Sequence, residues 1–131
     1  MITIELPWPD KRLSPNSRCH WGEKAEATKN AKDSGWWETY DVTSTMYLPH
    51  LKWASGFEAQ YIFHPPDRRK RDMDNCLAMM KPYQDGVCAH LGVDDRRIKR
   101  TVLEWGEVVK GGKVVLRLSE IGEIRELEEM K

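Results

Sequence analysis

The sequence predicts a single α+β domain, in which a small mixed or antiparallel sheet of about four strands packs with two main helices. Short segments that alternate apolar and polar residues stand near the start, in the middle and near the end of the 131-residue chain. Two longer segments between them are compatible with helix, so the order of elements is β–α–β–α–β–β. A chain of this length forms one domain, residues 1–131, with a modest core.

The first half of the chain contains one predicted strand and one predicted helix. Residues 2–6 alternate apolar and polar side chains, which is typical of a half-buried strand. Residues 10–20 are rich in turn formers and predict a loop. Residues 21 to about 47 are compatible with a helix, in which Gly35 is an interruption.

Four aromatic residues recur at roughly helical spacing in this first helix. They are Trp36, Trp37, Tyr40 and Tyr47. Such a stripe is typical of the side of a helix that faces the core. A platform for stacked bases is the alternative interpretation, and we prefer core packing.

The second half begins with a strand and continues into a second helix. Residues 57–63 alternate clearly, and the prolines at 65–66 end the strand because they cannot donate ladder hydrogen bonds. Asp74 and Asn75 are good N-cap residues for a helix that begins at once after them. Gly92 is a typical helix stop.

Pro82 lies inside the second predicted helix, so that either the helix kinks there or a new helix starts with Pro at its first position. The predicted buried face contains Leu77, Met80, Val87 and Leu91. A strand is predicted over residues 98–106. The Lys-Gly-Gly-Lys sequence at 110–113 then predicts a two-residue hairpin, which would pair the final strand, residues 114–118, with the strand before it.

Composition indicates a globular protein of the cytoplasm. The formal net charge is zero, but residues 68–71 and 96–100 are basic while residues 119–131 are mostly acidic. Three cysteines without a CxxC pair argue against a disulfide framework and favour a reducing compartment. No signal peptide is visible, and no segment approaches the ~20 apolar residues that span a bilayer. We therefore expect a cytoplasmic protein with no membrane association.

The most informative stretch runs from Asp67 to Asn75, where four consecutive cations lead into Asp72 and Asp74. Adjacent like charges repel, so a fold gains little from this arrangement. A polyanionic ligand together with a divalent cation explains it better, since cations bind phosphate and carboxylates bind Mg²⁺. The residues expected to contact phosphate are Arg68, Arg69, Lys70, Arg71, Arg96 and Arg97.

The carboxylates have a predicted geometry. Asp72 and Asp74 are two apart in a segment expected to be extended, so their side chains leave the same face of the backbone. Asp94 and Asp95 form a second acidic pair beside a basic cluster. If the second helix returns this loop beside the first, three carboxylates converge on one metal ion. The alternative is two solvated loops whose acids cap helices and pair with neighbouring cations.

Lys81 is the candidate cation of the site. It follows Asp74 by seven residues, about two helical turns, and so returns toward the same face. There it could hold the scissile phosphate or stabilise charge on a leaving oxygen. An exposed helix lysine is the alternative.

These motifs together resemble the RusA family of Holliday junction resolvases. The resemblance rests on Pro-Asp-Arg-Arg-Lys-Arg-Asp-Met-Asp-Asn at 66–75, on a following helix that contains a lysine, and on Asp94-Asp95 before a strand. The segments at 6–9 and 13–16 are also similar to the start of phage-borne members.

The resemblance implies a small homodimeric endonuclease that requires Mg²⁺, with Mn²⁺ as a substitute, and cuts four-way DNA junctions in recombination and repair. The family's metal-binding carboxylates correspond to Asp72, Asp74 and Asp95. The family lysine stands four residues after the second Asp, where this chain has Ala78, and we assign its role to Lys81.

Two other functions remain open on the sequence. The protein could bind branched DNA without cleaving it, since the lysine is displaced from the family position. Alternatively, its basic loops could bind RNA or an acidic protein. The sequence names no protein partner beyond a second copy.

Overall fold

The computed structural model describes residues 1–46 and 56–121, which form a two-layer α/β domain. The elements follow the predicted order. They are β1 (Ile2–Pro7), α1 (Trp21–Thr43), β2 (Phe57–His64), α2 (Met73–Leu91), β3 (Ile98–Trp105) and β4 (Lys113–Glu120), with short 3₁₀ helices at Lys11–Leu13 and Asp95–Arg97. One layer is the sheet, and the other is the pair of long helices that covers one face of it.

The sheet is mixed, and its strand order is β1-β4-β2-β3. β4 pairs antiparallel with both β1 and β2, while β2 pairs parallel with β3. In the central row, Ile4 lies opposite Leu116, which lies opposite Tyr61. Parallel strands need a crossover, and α2 supplies it between β2 and β3. The helix that carries the candidate site is therefore anchored at both ends by neighbouring strands.

The predicted hairpin between the last two strands is wrong, because β3 and β4 do not pair. The connection at 106–112 instead crosses the end of β2, where Gly106 N–H donates to the Phe63 carbonyl at 2.8 Å and Val109 N–H donates to the Pro65 carbonyl at 3.0 Å. Gly111 and Gly112 do form a tight turn, with φ of 80° and 71°. β4 thereby reaches the space between β1 and β2, and β3 is left at the edge of the sheet.

The core lies between the sheet and the two helices. Alternate residues of β1 and β2 are buried, as the period of two predicts, whereas β4 buries three residues in a row, Val114 to Leu116. The largest fully buried side chains include Tyr61, Phe63, Ile4, Leu6 and Met80. Tyr61 is accommodated because its hydroxyl donates to Gln84 Oε1 at 2.5 Å, and burial raises its pKa.

Small residues on α1 make the contact with α2. The buried positions of α1 are Ala27, Ala31, Gly35, Thr39 and Thr43. A Cβ atom on Gly35 would lie 2.1 Å from the Tyr83 carbonyl oxygen, so the two backbones approach too closely for any side chain there. Gly35 therefore does not interrupt the helix but permits the close helix pair.

The aromatic residues of α1 are not in the core, so that interpretation is wrong for the described ones. Trp37 is 57% exposed and Tyr40 is 43% exposed. Trp36 stacks on Tyr40 with centroids 5.9 Å apart, and both rings contact the His90 ring edge-on. The small residues of α1 occupy the interface with α2 because the two helices are close together. The large aromatic rings of α1 lie beside this interface. Tyr47 falls outside the described residues.

α2 is one continuous helix from Met73 to Leu91, so Pro82 neither ends it nor starts another. Met80 and Val87 are fully buried, and Gly92 ends the helix with a left-handed φ of 70°, as predicted. The predicted start is displaced, because Asp72 is the N-cap in place of Asp74 or Asn75.

Two further expectations bear on the environment of the protein. In the described part of the chain, no helix is long and apolar enough to cross a bilayer. Cys19, Cys76 and Cys88 are all free thiols, and burial raises the pKa of Cys88 to about 11. Burial also raises the pKa of Cys76, so the two buried thiols, Cys76 and Cys88, are protonated and unreactive at neutral pH.

Candidate active site

The first part of the candidate site is the beginning of α2. Asp72 has an extended backbone, and its Oδ1 accepts the Asp74 N–H at 2.9 Å. This bond satisfies one of the orphan donors of the helix end, which is why Asp is favoured there. Asp74 lies in the first turn, and both carboxylates are exposed. The sequence predicted that both acids lie on an extended segment. They lie instead together at a helix N-terminus, where the helix dipole favours negative charge.

Residues 67–72 lead into α2, and we call them the N-terminal charged loop. Asp67 holds this loop together through hydrogen bonds from two of its arginines. Its Oδ1 accepts the Arg69 N–H at 2.9 Å and the Arg71 guanidinium at 2.8 Å, while its Oδ2 binds the Arg69 guanidinium at 3.1 Å. The backbone hydrogen bond from Arg69, with the Arg69 and Arg71 side chains, lowers the pKa of Asp67 to about 2. Asp67 is thus a structural acid of the loop.

Arg71 is also largely used by the loop itself. Its guanidinium donates to the backbone carbonyls of Asp67 and Arg69 at 3.0 and 3.1 Å and lies over the Trp8 ring, 5.4 Å from the centroid. Only 18% of its side chain is exposed. Arg71 is therefore turned inward, whereas Arg68, Arg69 and Lys70 of this loop are exposed.

The second part of the site is the C-terminal charged loop (residues 94–97), which follows α2. Asp94 Oδ1 accepts the Arg96 N–H at 2.9 Å, and the Arg96 guanidinium returns to Asp94 Oδ2 at 3.0 Å. The hydrogen bonds from Arg96 hold the pKa of Asp94 well below its ordinary value. Asp94 therefore has the same structural role as Asp67.

Lys81 joins the two parts of the site. Its ammonium binds Asp95 Oδ2 from the C-terminal charged loop and Asp85 Oδ1 on its own helix, the latter at 2.7 Å. These two hydrogen bonds, the one from Asp85 first, raise the pKa of Lys81. Lys81 is therefore a cation at neutral pH, and it could stabilise negative charge but not accept a proton.

The carboxylates have the right chemistry for Mg²⁺, which prefers hard oxygen ligands and often uses only one or two carboxylates while keeping several waters. Asp72 and Asp74, exposed and adjacent at the start of α2, fit such a hydrated ion. Within residues 1–46 and 56–121, no group of three or more His, Cys, Asp or Glu side chains lies close enough to hold a metal. The convergence of Asp72, Asp74 and Asp95 is thus not preformed, and the metal site stays a prediction.

A groove runs along the N-terminal charged loop. It has a volume of about 480 Å³, with Trp8, Cys76 and Met79 among its apolar lining residues. Its charged lining consists of Lys11, Arg69, Lys70, Arg71 and Asp72. Cations beside an apolar floor and a candidate metal ligand make a surface suited to a nucleic acid strand.

Two features of the site escaped the sequence interpretation. Asp85 contacts Lys81, and its signal was the i, i+4 spacing from that lysine. The other is a repeated Asp-x-Arg turn, in which an Asp accepts the N–H of the Arg two residues later and pairs with its side chain. It occurs at Asp10–Arg12, Asp67–Arg69 and Asp94–Arg96. The spacing is visible in the sequence, but Asp95 and Arg97 share it, so the spacing alone does not single out the structural acids.

The fold and site define a two-layer α/β domain with charged loops at both ends of its central crossover helix. No family model matches the chain. A protein of Xylella fastidiosa strain Temecula1, described as uncharacterized, is 38% identical over 121 residues, which cover 92% of this chain and 78% of that protein. The chain belongs to the same family as this protein.

A second similarity is short. A venom peptide isomerase heavy chain of Agelenopsis aperta is 31% identical over 70 residues, but the match covers only 48% of this chain and 29% of that protein. A match of this extent does not place the two proteins in one family.

Proposed function

We propose that the protein is a Mg²⁺-dependent endodeoxyribonuclease of the RusA type, which resolves four-way DNA junctions by paired cleavage in the cytoplasm. The observation that carries this proposal is the contact between Lys81 and Asp95. It joins two residues that the resemblance assigns to one site although they lie in different segments. The match at residues 66–75 supports the same assignment.

Each group would have a distinct role in phosphodiester hydrolysis. Asp72 and Asp74 would hold the metal, and Asp95 is the third carboxylate that the resemblance assigns to it. Mg²⁺ (or Mn²⁺ in its place), when bound, would polarise the phosphodiester and activate a water for in-line attack. Lys81, with its raised pKa, would stabilise the charge that develops on the leaving oxygen.

The DNA strand would lie along the N-terminal charged loop. Arg68, Arg69 and Lys70 are exposed there, and Lys11 is among the residues that line the groove. Such contacts to phosphate position the substrate without reading its bases, and they make binding strongly dependent on salt. Arg96 and Arg97 would extend the basic surface at the C-terminal charged loop.

A homodimer follows from the proposed substrate. Resolving a four-way junction requires two symmetric cuts, and a two-fold dimer supplies two equivalent sites. Light scattering coupled to size exclusion should give twice the chain mass of 15.3 kDa. A monomer at all concentrations would remove this part of the proposal.

Cleavage of an end-labelled four-way junction tests the enzyme assignment. We expect paired nicks with Mg²⁺ and none with EDTA, and Asp72→Asn should remove them while leaving junction binding intact. A linear duplex of the same sequence is the control substrate. Equal cleavage of the two substrates would contradict structure specificity.

Binding of branched DNA without cleavage is the second candidate function. It is favoured by one observation, that no group of three or more acidic or other metal-ligating side chains is assembled among the described residues. Tight and selective junction binding without any Mg²⁺- or Mn²⁺-dependent product would support this candidate over the nuclease. Equal binding of RNA, linear duplex and junction would instead favour a general interaction module.

A further inference from the structure

Trp105, the last residue of the edge strand β3, is an exposed aromatic side chain to which the proposed function gives no role. It is 44% exposed. Its ring packs against the ring of Phe63, its register partner on β2, with the two centroids 5.8 Å apart. Phe63 is fully buried. The Trp105 ring is therefore supported by the core on one side and open to solvent in part.

The backbone that follows Trp105 is held by the neighbouring strand. The Gly106 N–H donates to the Phe63 carbonyl at 2.8 Å, and the Val109 N–H donates to the Pro65 carbonyl at 3.0 Å. These hydrogen bonds fix the position of the ring before any ligand arrives. A ligand that packs on a fixed side chain loses less free energy to ordering than one that packs on a mobile loop.

Trp105 lines a cavity of about 390 Å³. This volume is within the range of about 300–1,000 Å³ that is typical of sites for small ligands. Arg69, Lys70 and Arg71 line both this cavity and the groove that contains Trp8, so the N-terminal charged loop is a wall that the two share. The remaining lining residues of the cavity are Pro65, Asp67, Arg68 and Val108.

The lining of this cavity carries positive charge that is not compensated within it. Asp67 is the acid of the lining, and it is already paired with Arg69 and Arg71. Arg68 and Lys70 are exposed, and neither has an ion-pair partner within residues 1–46 and 56–121. An open aromatic ring beside exposed cations is the combination that binds single-stranded nucleic acid, because the ring stacks on a base and the cations bind phosphate.

Two other tryptophans are less suited to this task. The Trp8 ring is already covered by the Arg71 guanidinium, which lies 5.4 Å from its centroid. Trp37 on α1 is 57% exposed, but Asp41 follows it by four residues and so shares its side of the helix. A carboxylate at that place repels phosphate. Charge therefore favours Trp105 as a stacking partner for a base.

We infer that the cavity at Trp105 binds one unstacked nucleobase of the DNA substrate, with the flanking phosphates on Arg68 and Lys70. The inference rests on the proposed function and adds the feature of the substrate that this surface recognises. In a continuous duplex both faces of each base are covered by its neighbours, so a base reaches Trp105 only after it leaves the stack. Stacking is interrupted at a branch point. The site therefore favours branched DNA over a linear duplex.

Two DNA junctions that differ by one base test the inference. Each carries one additional unpaired nucleotide at the branch point, which is a thymidine in one junction and an abasic residue in the other, so that their charges are equal. Fluorescence anisotropy in EDTA measures binding without cleavage. We expect the wild type to bind the thymidine junction about five- to a hundredfold more tightly, the effect of one stacked base. Equal affinity for the two junctions would overturn the inference.

Substitutions of Trp105 test whether this ring causes the preference. Trp105→Leu removes the aromatic face but keeps an apolar contact with Phe63, and it should reduce the preference for thymidine to less than about twofold. Trp105→Phe retains an aromatic face and should keep most of the preference. Trp37→Leu is the matched control, since it removes an exposed tryptophan from α1 and should change nothing. A preference that survives Trp105→Leu would place the base elsewhere and overturn the inference.

Photocrosslinking supplies a second measurement on the wild-type protein, which does not depend on whether a variant folds. An iodinated uracil replaces the unpaired thymine, and mass spectrometry identifies the residue that is crosslinked to it. We expect Trp105 to be that residue. A crosslink to Trp8 would instead place the base in the groove on the other side of the loop and overturn the inference.

The outcomes distinguish this inference from the proposed nuclease. Absence of DNA binding by the wild type would overturn both. A preference for thymidine that depends on Trp105, without any Mg²⁺-dependent cleavage of the junction, would overturn the nuclease and support the base site. Mg²⁺-dependent cleavage without a preference for thymidine would overturn the inference alone.

Discussion

The two charged loops at the ends of α2 have similar sequences but different electrostatic states. Each contains an Asp-x-Arg turn, in which Asp67 or Asp94 is paired with the following arginine. The acids next in line differ. Asp72 and Asp74 are exposed at a helix N-terminus, whereas Asp95 is bound by Lys81. In both loops, therefore, the first acid pairs within its own loop, but only the later acids at the start of α2 are exposed, because Lys81 holds Asp95.

The difference between the loops indicates where a cation would bind first. Asp72 and Asp74 lie at the start of α2, and no cationic side chain pairs with either of them among the described residues. The C-terminal charged loop already holds an ammonium. If the proposed Mg²⁺ binds, Asp72 and Asp74 are therefore the carboxylates open to it, whereas Asp95 is already paired.

Asp94 and Asp95 are neighbours in the sequence, but we expect Asp94 to be structural and Asp95 to be functional, so their substitutions should differ most. Asp95→Asn should reduce Mg²⁺-dependent junction cleavage at least about a hundredfold, because it removes a proposed metal ligand. Asp94→Asn should reduce it less than about tenfold, since it affects only the loop. Initial rates on a labelled junction measure both. Equal losses would mean that the comparison of the two acids is wrong.

α2 connects the two loops, so a change in its position should affect both. A Cβ atom on Gly86 would lie 2.0 Å from the Lys32 carbonyl oxygen of α1. Gly86→Ala should therefore lower the free energy of unfolding by about 1–3 kcal/mol, as overpacking typically does. Urea denaturation followed by circular dichroism measures the loss. Gly111→Ala is a useful contrast, because no atom lies within 4 Å of its added Cβ and only the positive φ of 80° opposes it.

The basic residues of the two loops should contribute differently to DNA binding. Arg68→Gln should lower the slope of log K against log salt by about 0.9, the loss of one phosphate contact. Arg96→Gln should lower it less, because Asp94 already engages that guanidinium. Fluorescence anisotropy at several salt concentrations gives both slopes, with Lys29→Gln on α1 as a control. If Arg96→Gln lowered the slope more than Arg68→Gln, Arg96 and not Arg68 would be the main phosphate contact.

The contribution of Asp67 to stability should depend on pH. Its pKa in the folded protein is about 2, below the ordinary value of 3.8, so the folded state favours the carboxylate. The stabilisation is fully present above pH ~4 and is lost as pH falls through about 2. The difference in melting temperature between wild type and Asp67→Asn should accordingly shrink over this interval. A constant difference from pH 7 to pH 2 would exclude an electrostatic origin.

Much of the fold was predictable from local patterns. The alternation in residues 2–6 and 57–63 and the helix stop at Gly92 match the structure. The errors concern partners at a distance. A Gly-Gly turn between two strands predicts that they pair, yet β4 pairs with β1 and β2 because the connection crosses the end of β2. Turn residues determine where the chain reverses direction. They do not determine which strand pairs with the strand that follows the turn.

The first helix illustrates a second limit. Its aromatic residues have helical spacing and large apolar area, which predicted a core face. The interface instead uses Ala27, Ala31 and Gly35, because the two helices approach closely at Gly35 and Gly86. Only the distance between the helices determines whether large or small side chains face inward, and no local pattern contains that distance.

The sequence by itself determined the order of elements, the cation run, the acids beside it and the placement of Lys81 on the helix between the two loops. Hydrophobic periodicity and charge are local properties, so they can be read residue by residue. The tertiary structure alone decided that Lys81 meets Asp95, that Asp85 is its second partner, and that Arg71 is turned back into its loop. These contacts depend on how α2 packs on the sheet as the connection from β2 to β3. That packing is a property of the whole domain.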